Sequence, residues 1–130
     1  MQKIYKFLKD ARIYYLATSD GVQPRVRPFG TINLYDGRLY ILTSKKKSVS
    51  QQLHQNPKIE ISAYLHPRWL RLEASVVEDN GFDARMSMLN AYPELSEVFP
   101  YDDENNELWF LRNVSAGIYE YGKDTEFHKF

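Results

Sequence analysis

Two Asp-Gly pairs constrain this chain more than any other feature. Asp20-Gly21 follows IYYLATS and precedes QPRVRPFGTINLY, and Asp36-Gly37 separates that second run from RLYILTS. Each pair stands between segments rich in β-branched and aromatic residues, where Asp-Gly supplies the positive φ of a tight hairpin turn. Strands joined by such short turns pair antiparallel, because a parallel crossover needs a dozen residues or more. The first third of the chain therefore predicts an antiparallel meander, and a doubly wound parallel sheet is a poor fit.

The remaining elements surround that meander. Ile4, Phe7, Leu8 and Ala11 recur at helical spacing and predict a short amphipathic helix laid against the domain. In KKKSVSQQLHQNP, Ser48 and Gln51 have the S-x-x-Q spacing of a capping box and Asn56-Pro57 is a stop, so a helix is expected to begin near Ser48. KIEISAYL puts Ile59, Ile61, Ala63 and Leu65 on one face, and WLRLEASVVED does the same with Leu70, Leu72, Ala74 and Val76, the pattern of half-buried strands. Helical spacing returns from Phe82 to Phe99, with Pro93 opening a second short helix. YDDENNE reads as an exposed acidic loop, LWFLRNVSAGIYEYG as the last one or two strands, and the polar tail as loose. The expectation is a mainly β, α+β domain over residues 1–130: a six-stranded antiparallel barrel with flanking helices, closed to remove its edges.

Charge narrows the functional classes. Seventeen basic and seventeen acidic side chains cancel in 130 residues, so no overall field favours nucleic acid or an anionic membrane, and any anion site must be local. With no cysteine there is no thiolate nucleophile, disulfide or cysteine-ligated zinc. The first residues lack the apolar run of a signal peptide, and no run is long enough to span a bilayer as a helix; a soluble cytoplasmic protein is expected.

Local positive charge gathers in two places. Arg25 and Arg27 are two apart, so on a strand they share a face while Val26 takes the other, and prolines at 24 and 28 suit an edge strand with free backbone groups. The second place is the start of the Ser48 helix, whose first-turn N–H groups and positive dipole end follow Lys45, Lys46 and Lys47, with Thr43 and Ser44 at the preceding strand end. Forked guanidinium donors, an ammonium, hydroxyls and helix-terminal amides are what a phosphate monoester requires. Two solvated arginines and a soluble capped turn would have the same local sequence. Convergence separates these readings, and the Asp36-Gly37 hairpin allows it by bringing the neighbouring strands together. Elsewhere, His54, His66 and His128 have no metal-ligand spacing, the acidic residues at 102–104 lack a frame, and no H-E-x-x-H, Walker loop, G-x-G-x-x-G or G-x-S-x-G is present. Most of the aromatic residues, 15% of the chain, are expected in the core or an interface.

The order YYLATSDGVQPRVRPFG, DGRLYILTSKKKSVSQQLHQNPKIEIS and RWLRLEASVVED resembles the pyridoxamine 5′-phosphate oxidase-like flavoproteins, especially their short single-domain FMN-binding branch. The likeness runs from about Tyr14 to Val77 and more loosely through LWFLRNVSAGIYEY. It implies a split-barrel homodimer with FMN at the subunit interface, acting as an oxidoreductase on a small-molecule substrate. By matching positions, it implies that Arg25, Val26, Arg27 and Pro28 line the flavin and phosphate end and that Thr43, Ser44, Lys47 and Ser48 hold the phosphate or ribityl chain. It further implies that Gln52 faces the ring system, with Trp69 or Trp109 reaching the cofactor from the partner subunit. The vitamin B6 oxidases have a lysine where Gly30 stands, an arginine-lysine pair where Ser48-Val49 stand, and a C-terminal R-x-H arrangement that TEFHKF does not supply. The flavin therefore carries over and the B6 substrate does not. A flavin- or haem-binding protein for storage, sensing or delivery, and a reductase using the deazaflavin F420, are the other readings.

Overall fold

Apolar alternation builds the sheet as the sequence requires. Ile59, Ile61 and Ala63 of one strand face Ala74, Leu72 and Leu70 of the next in register, and all six are buried on one side. The computed structural model describes residues 1–130. Its elements are α1 (Gln2–Ala11), β1 (Tyr14–Ser19), β2 (Pro24–Phe29), β3 (Asn33–Tyr35), β4 (Arg38–Ser44), α2 (Ser48–Gln55), β5 (Lys58–Leu65), β6 (Arg68–Glu78), α3 (Phe82–Ala91), β7 (Asn106–Glu120) and β8 (Glu126–Lys129), with a 3-10 turn at Pro93–Leu95. The strands form one antiparallel sheet in the order β2-β1-β5-β6-β7-β4-β3, with β8 added beside β7.

The main core lies on one face of this sheet. Leu16, Ile61, Leu70, Leu72 and Ile41 meet there, and α1 closes it with the buried Ile4, Phe7 and Leu8. Removing a side chain such as Leu72 would cost about 2–5 kcal/mol. A smaller cluster on the other side of β4 and β7 joins Tyr40, Leu42 and Leu108 to Ala84, Met88 and Leu89 of α3. The turn between β3 and β4 uses Asp36 and Gly37 with φ of 50° and 70°, the two-residue turn that the Asp-Gly signal predicts.

Several expectations need correction. There are eight strands rather than six: RVRPFGTINLY is broken at Gly30–Ile32 into β2 and β3, and the tail forms β8. That tail is not loose, because Phe130 exchanges both backbone hydrogen bonds with Val114 and Lys3 pairs with Glu126. Four residues carry too little periodicity to reveal a strand whose partner lies elsewhere in the chain. The sheet is also not closed: β2 and β3 are its two ends, and on the edge away from β7 the strand β4 is paired only by Asn33–Tyr35, over Arg38–Tyr40. Residues 41–44 of β4 therefore have no strand on that edge. Instead Thr31 Oγ1 accepts a bond from Leu42 N at 3.2 Å, and Tyr14 Oη donates to the Thr31 carbonyl.

The capping box does not form. Lys47 is the N-cap of α2, and no side chain caps the helix. Finally, the acidic loop ends before Asn106 and Glu107, which are both buried in β7. Burial pushes the Glu107 carboxyl up, but bonds from His54, Trp109 and Ser50 together outweigh it and leave the group below its ordinary range.

Candidate functional site

The split in the sheet is where the charged residues gather. Between the β2 edge, the unpaired edge of β4, α1 and the start of α2 lies a cleft of about 570 Å³. Arg27 and Pro28 approach from β2, Thr43 from β4 and Lys47 from the head of α2. These four of the residues singled out in the sequence therefore share one cavity. Lys9, Arg12, Arg27 and Lys47 line it against a single carboxylate, Glu94, so the lining is net positive in a protein whose overall charge is zero.

Arg27 is held in place rather than free. Its Nη1 donates to Thr18 Oγ1 at 2.8 Å and to the Leu16 carbonyl at 3.2 Å, and its Nη2 donates to Gln52 Oε1 at 2.6 Å. Thr18 Oγ1 donates to the same Gln52 oxygen. An arginine has five N–H donors, so Nε–H and one Nη2–H remain beyond these three bonds. Desolvation by burial, and then the like charge of Arg25, lowers the Arg27 guanidinium from its ordinary value. Gln52 is thus brought to Arg27 by α2, and its oxygen is fully occupied by the strand.

Thr43 supplies the sharpest signal. Its residue is buried, it lines the cleft, and its Oγ1 has no hydrogen-bond partner. Buried hydroxyls are rarely left so, since desolvation without a bond costs about 1–3 kcal/mol. Nearby, the first-turn amides of α2 have no side-chain cap, and Lys47 is exposed with no carboxylate partner in the chain. An orphaned hydroxyl, an uncapped helix start, an unpaired ammonium and the spare donors of Arg27 form a donor set that fits a phosphate.

The other sequence candidates stand elsewhere. Arg25 lies on the same strand face as Arg27 but is exposed and bonded to Asp20 Oδ2 at 2.8 Å. Val26 is exposed on the opposite face, opposite Ala17 of β1. Ser44 Oγ accepts from Lys46 N within the turn, and Ser48 is exposed at the first position of α2. Trp69 stacks on Tyr119 with ring centroids 5.5 Å apart, in a hollow at the β5–β6 turn outside the cleft. Trp109 is 3% exposed in the core, its indole N–H donating to Glu107 Oε1 at 2.7 Å. Neither tryptophan meets the cleft within one chain.

Three lining residues escape a sequence reading: Lys9, Arg12 and Tyr92. Tyr92 Oη donates to the Ile32 carbonyl and accepts from Ile32 N, both at 3.0 Å, while Lys9 Nζ donates to it at 3.1 Å. Arg12 follows α1 with φ 69° and ψ −53°, the centre of a turn closed by Ile13 N to the Ala11 carbonyl at 2.8 Å, and it lines the cleft. Lys9 and Arg12 resemble the polar side of an amphipathic helix. The one available signal is that they flank Leu8 and Ile13 with no acidic neighbour at helical spacing.

An open antiparallel sheet whose split is lined by basic and hydroxyl side chains is a split-barrel domain, the fold of the pyridoxamine 5′-phosphate oxidase-related proteins. A NimC/NimA family protein of Clostridium acetobutylicum superimposes with a TM-score of 0.96 at 34% identity, over all of this chain and 92% of the other. The chain belongs to the NimC/NimA family. A pyridoxamine 5′-phosphate oxidase-related, FMN-binding protein of Nostoc punctiforme gives a TM-score of 0.63 at 17% identity, over 97% and 90% of the two chains. HutZ, the heme storage protein of Vibrio cholerae, gives 0.69 at 15%, over 87% and 91%; at such identities the likeness is one of fold. No protein-family profile and no curated protein matches the chain. No helix is long and apolar enough to cross a membrane.

Proposed function

We propose that this protein binds FMN through the cleft in the split of its sheet and works as a homodimeric oxidoreductase on a small substrate. The observation that carries the reading is the buried, partnerless Thr43 Oγ1 beside Arg27, Lys47 and the uncapped start of α2. In it Thr43 and the first-turn amides hold phosphate oxygens, Lys47 neutralises their charge, and Arg27, fixed by Gln52 and Thr18, orients its spare donors. The apolar lining from Leu8, Phe29, Val49 and Phe99 keeps water from the rest of the ligand. Bound FMN would supply the redox chemistry, for which the chain's own residues provide orientation and electrostatics.

A second copy is supported by the outer sheet face, where Tyr15 and Val26 are exposed on neighbouring strands β1 and β2. Arg25, Val26, Ser44, Ser48 and Trp69, which do not line the cleft of one chain, meet the cofactor in this reading only where a partner completes the site, and Trp109, buried in its own core, has no part in it. The heme-storage reading draws less support, because no histidine, cysteine or methionine lines the cleft.

Titration of the purified protein with FMN, followed by flavin fluorescence and absorption, tests the reading. Saturable binding at one FMN per chain and elution as a dimer are expected. A protein that takes up F420 or heme but no FMN would overturn it. Reduction of the bound flavin by NADH or NADPH with turnover separates an enzyme from a binding protein.

A further inference from the structure

A second cluster of chemistry-bearing side chains lies outside the cleft lining, between α2 and strands β6 and β7. His54 in the last turn of α2, Glu78 at the end of β6 and Glu107 at the start of β7 bring their ligand atoms within 4.8 Å of one another. His54 Nε2 is 3.0 Å from Glu107 Oε2 and 3.9 Å from Glu78 Oε2. A tetrahedral ion bound at about 2.0–2.2 Å needs ligand atoms about 3.3–3.6 Å apart. The two His54 separations bracket that range, and with all three ligand atoms within 4.8 Å, side-chain rotation of the part-exposed His54 and Glu78 can close them around an ion.

The surroundings orient these groups as a metal site requires. Glu107 has no accessible side-chain surface, and its two oxygens have different roles. Oε1 accepts the Trp109 indole N–H at 2.7 Å, whereas Oε2, supported by Ser50 Oγ at 3.1 Å, faces His54. Such outer bonds fix a carboxylate to one ligating oxygen. The His54 ring packs against Trp109 in a T-shaped arrangement, with centroids 4.8 Å apart, and its Nε2 meets Glu107 Oε2. His54 and Glu78 remain 50% and 31% exposed, so an ion has a path in and water can complete its coordination.

The charge of the cluster suits a cation. No lysine or arginine pairs with Glu78 or Glu107, and one imidazole faces two carboxylates. An imidazolium would balance one of the two; a divalent ion on neutral imidazole balances both. One imidazole nitrogen with two carboxylate oxygens suits a borderline first-row ion, while the absence of sulfur disfavours Cu(I) and the low oxygen count disfavours Ca²⁺.

We infer that His54, Glu78 and Glu107 bind a divalent first-row transition ion of the Zn²⁺ type, with open positions left to solvent. No ligand of this site lines the flavin cleft, so the inference stands independently of the flavin reading.

The test is a calorimetric titration of the EDTA-treated, desalted full-length protein with ZnCl₂, repeated with CaCl₂. One Zn²⁺ per chain and a thermal midpoint raised by Zn²⁺ but not by Ca²⁺ are expected. Glu78→Gln leaves the buried Ser50–Glu107–Trp109 bonds in place, so it should fold normally and bind Zn²⁺ at least about tenfold more weakly. His54→Gln should lose binding. Absence of stoichiometric binding would overturn the site. So would Zn²⁺ affinity unchanged in both variants, which would move the ion to another pair such as His128–Glu126. If neither the ion nor the two substitutions affects FMN uptake, the two sites are separate.

Discussion

Arg27 donates from Nη2 to Gln52 Oε1 at 2.6 Å, joining edge strand β2 to helix α2 across the split in the sheet. The two residues are 25 apart in sequence; Arg27 lines the proposed flavin site and Gln52 holds it from behind. The bond makes Arg27 a structural member of the domain before any ligand arrives. Arg25, two residues earlier, has no such role, because its partner Asp20 belongs to the same exposed hairpin.

The two arginines should therefore separate on stability. Arg27→Ala leaves Thr18, the Leu16 carbonyl and Gln52 short of a donor and should destabilise the ligand-free protein by about 1–3 kcal/mol. Arg25→Ala should leave the urea midpoint within error of wild type, as exposed ion pairs usually do. In a double-mutant cycle, Arg27→Ala and Gln52→Ala should couple by about 0.5–3 kcal/mol. Additive effects would show that the bond across the split carries no energy.

Thr43→Val distinguishes a hydroxyl kept for a ligand from one kept for the fold. With Oγ1 unpartnered, exchanging it for a methyl group removes an unsatisfied buried polar atom. The ligand-free variant should be at least as stable as wild type, by up to about 1 kcal/mol, while its FMN affinity falls. A loss of stability without ligand would mean that the hydroxyl already has a structural partner.

Lys47→Ala should weaken FMN binding by about ten- to a hundredfold, the range for a lost charge-assisted hydrogen bond, with little effect on the ligand-free fold. Raising the salt concentration should reduce wild-type affinity more than that of the variant. Fluorescence titrations at two ionic strengths measure both. Equal affinities would move the phosphate toward Arg12 and Lys9, at the other end of the cleft.

The sequence reveals the parts of this molecule that local physics determines. Asp36-Gly37 specifies its turn, and the alternation in β5 and β6 specifies which faces are buried, because each signal lies within one element. Thr43 and Lys47 could be singled out as candidates because a strand end and a helix start are recognisable in sequence, and both line the cleft. The engagement of Arg27 with Gln52 was not, since it depends on the packing of α2 against β2. Glu107 was hidden for the same reason: its neighbours Asp102, Asp103 and Glu104 read as a solvated loop, and only the paths of β4 and β7 bury it under Trp109 and His54. Lys9 and Arg12 were obscured because a helix face turned toward a cleft and one turned toward bulk water have the same composition.

Tyr14 provides a pH-dependent test of how the split is held. Its hydroxyl is fully buried and donates to the carbonyl of Thr31, in the link that separates β2 from β3. Desolvation by burial, and then the nearby Tyr92, raises its pKa well above the ordinary value of 10.0. Tyr14→Phe leaves the Thr31 carbonyl unsatisfied and should cost about 1–3 kcal/mol at neutral pH. Above about pH 10 the unfolded chain releases the Tyr14 proton while the folded chain keeps it. The tyrosine's contribution is thus complete below pH 10 and declines by about 1.4 kcal/mol per pH unit above it. The stability gap between wild type and Tyr14→Phe, measured by urea unfolding from pH 7 to 11, should therefore be flat to about pH 10 and then narrow. A gap that stays constant or widens would show that the hydroxyl ionises as readily in the folded protein as in the unfolded chain, and that the link at Thr31 is held by something else.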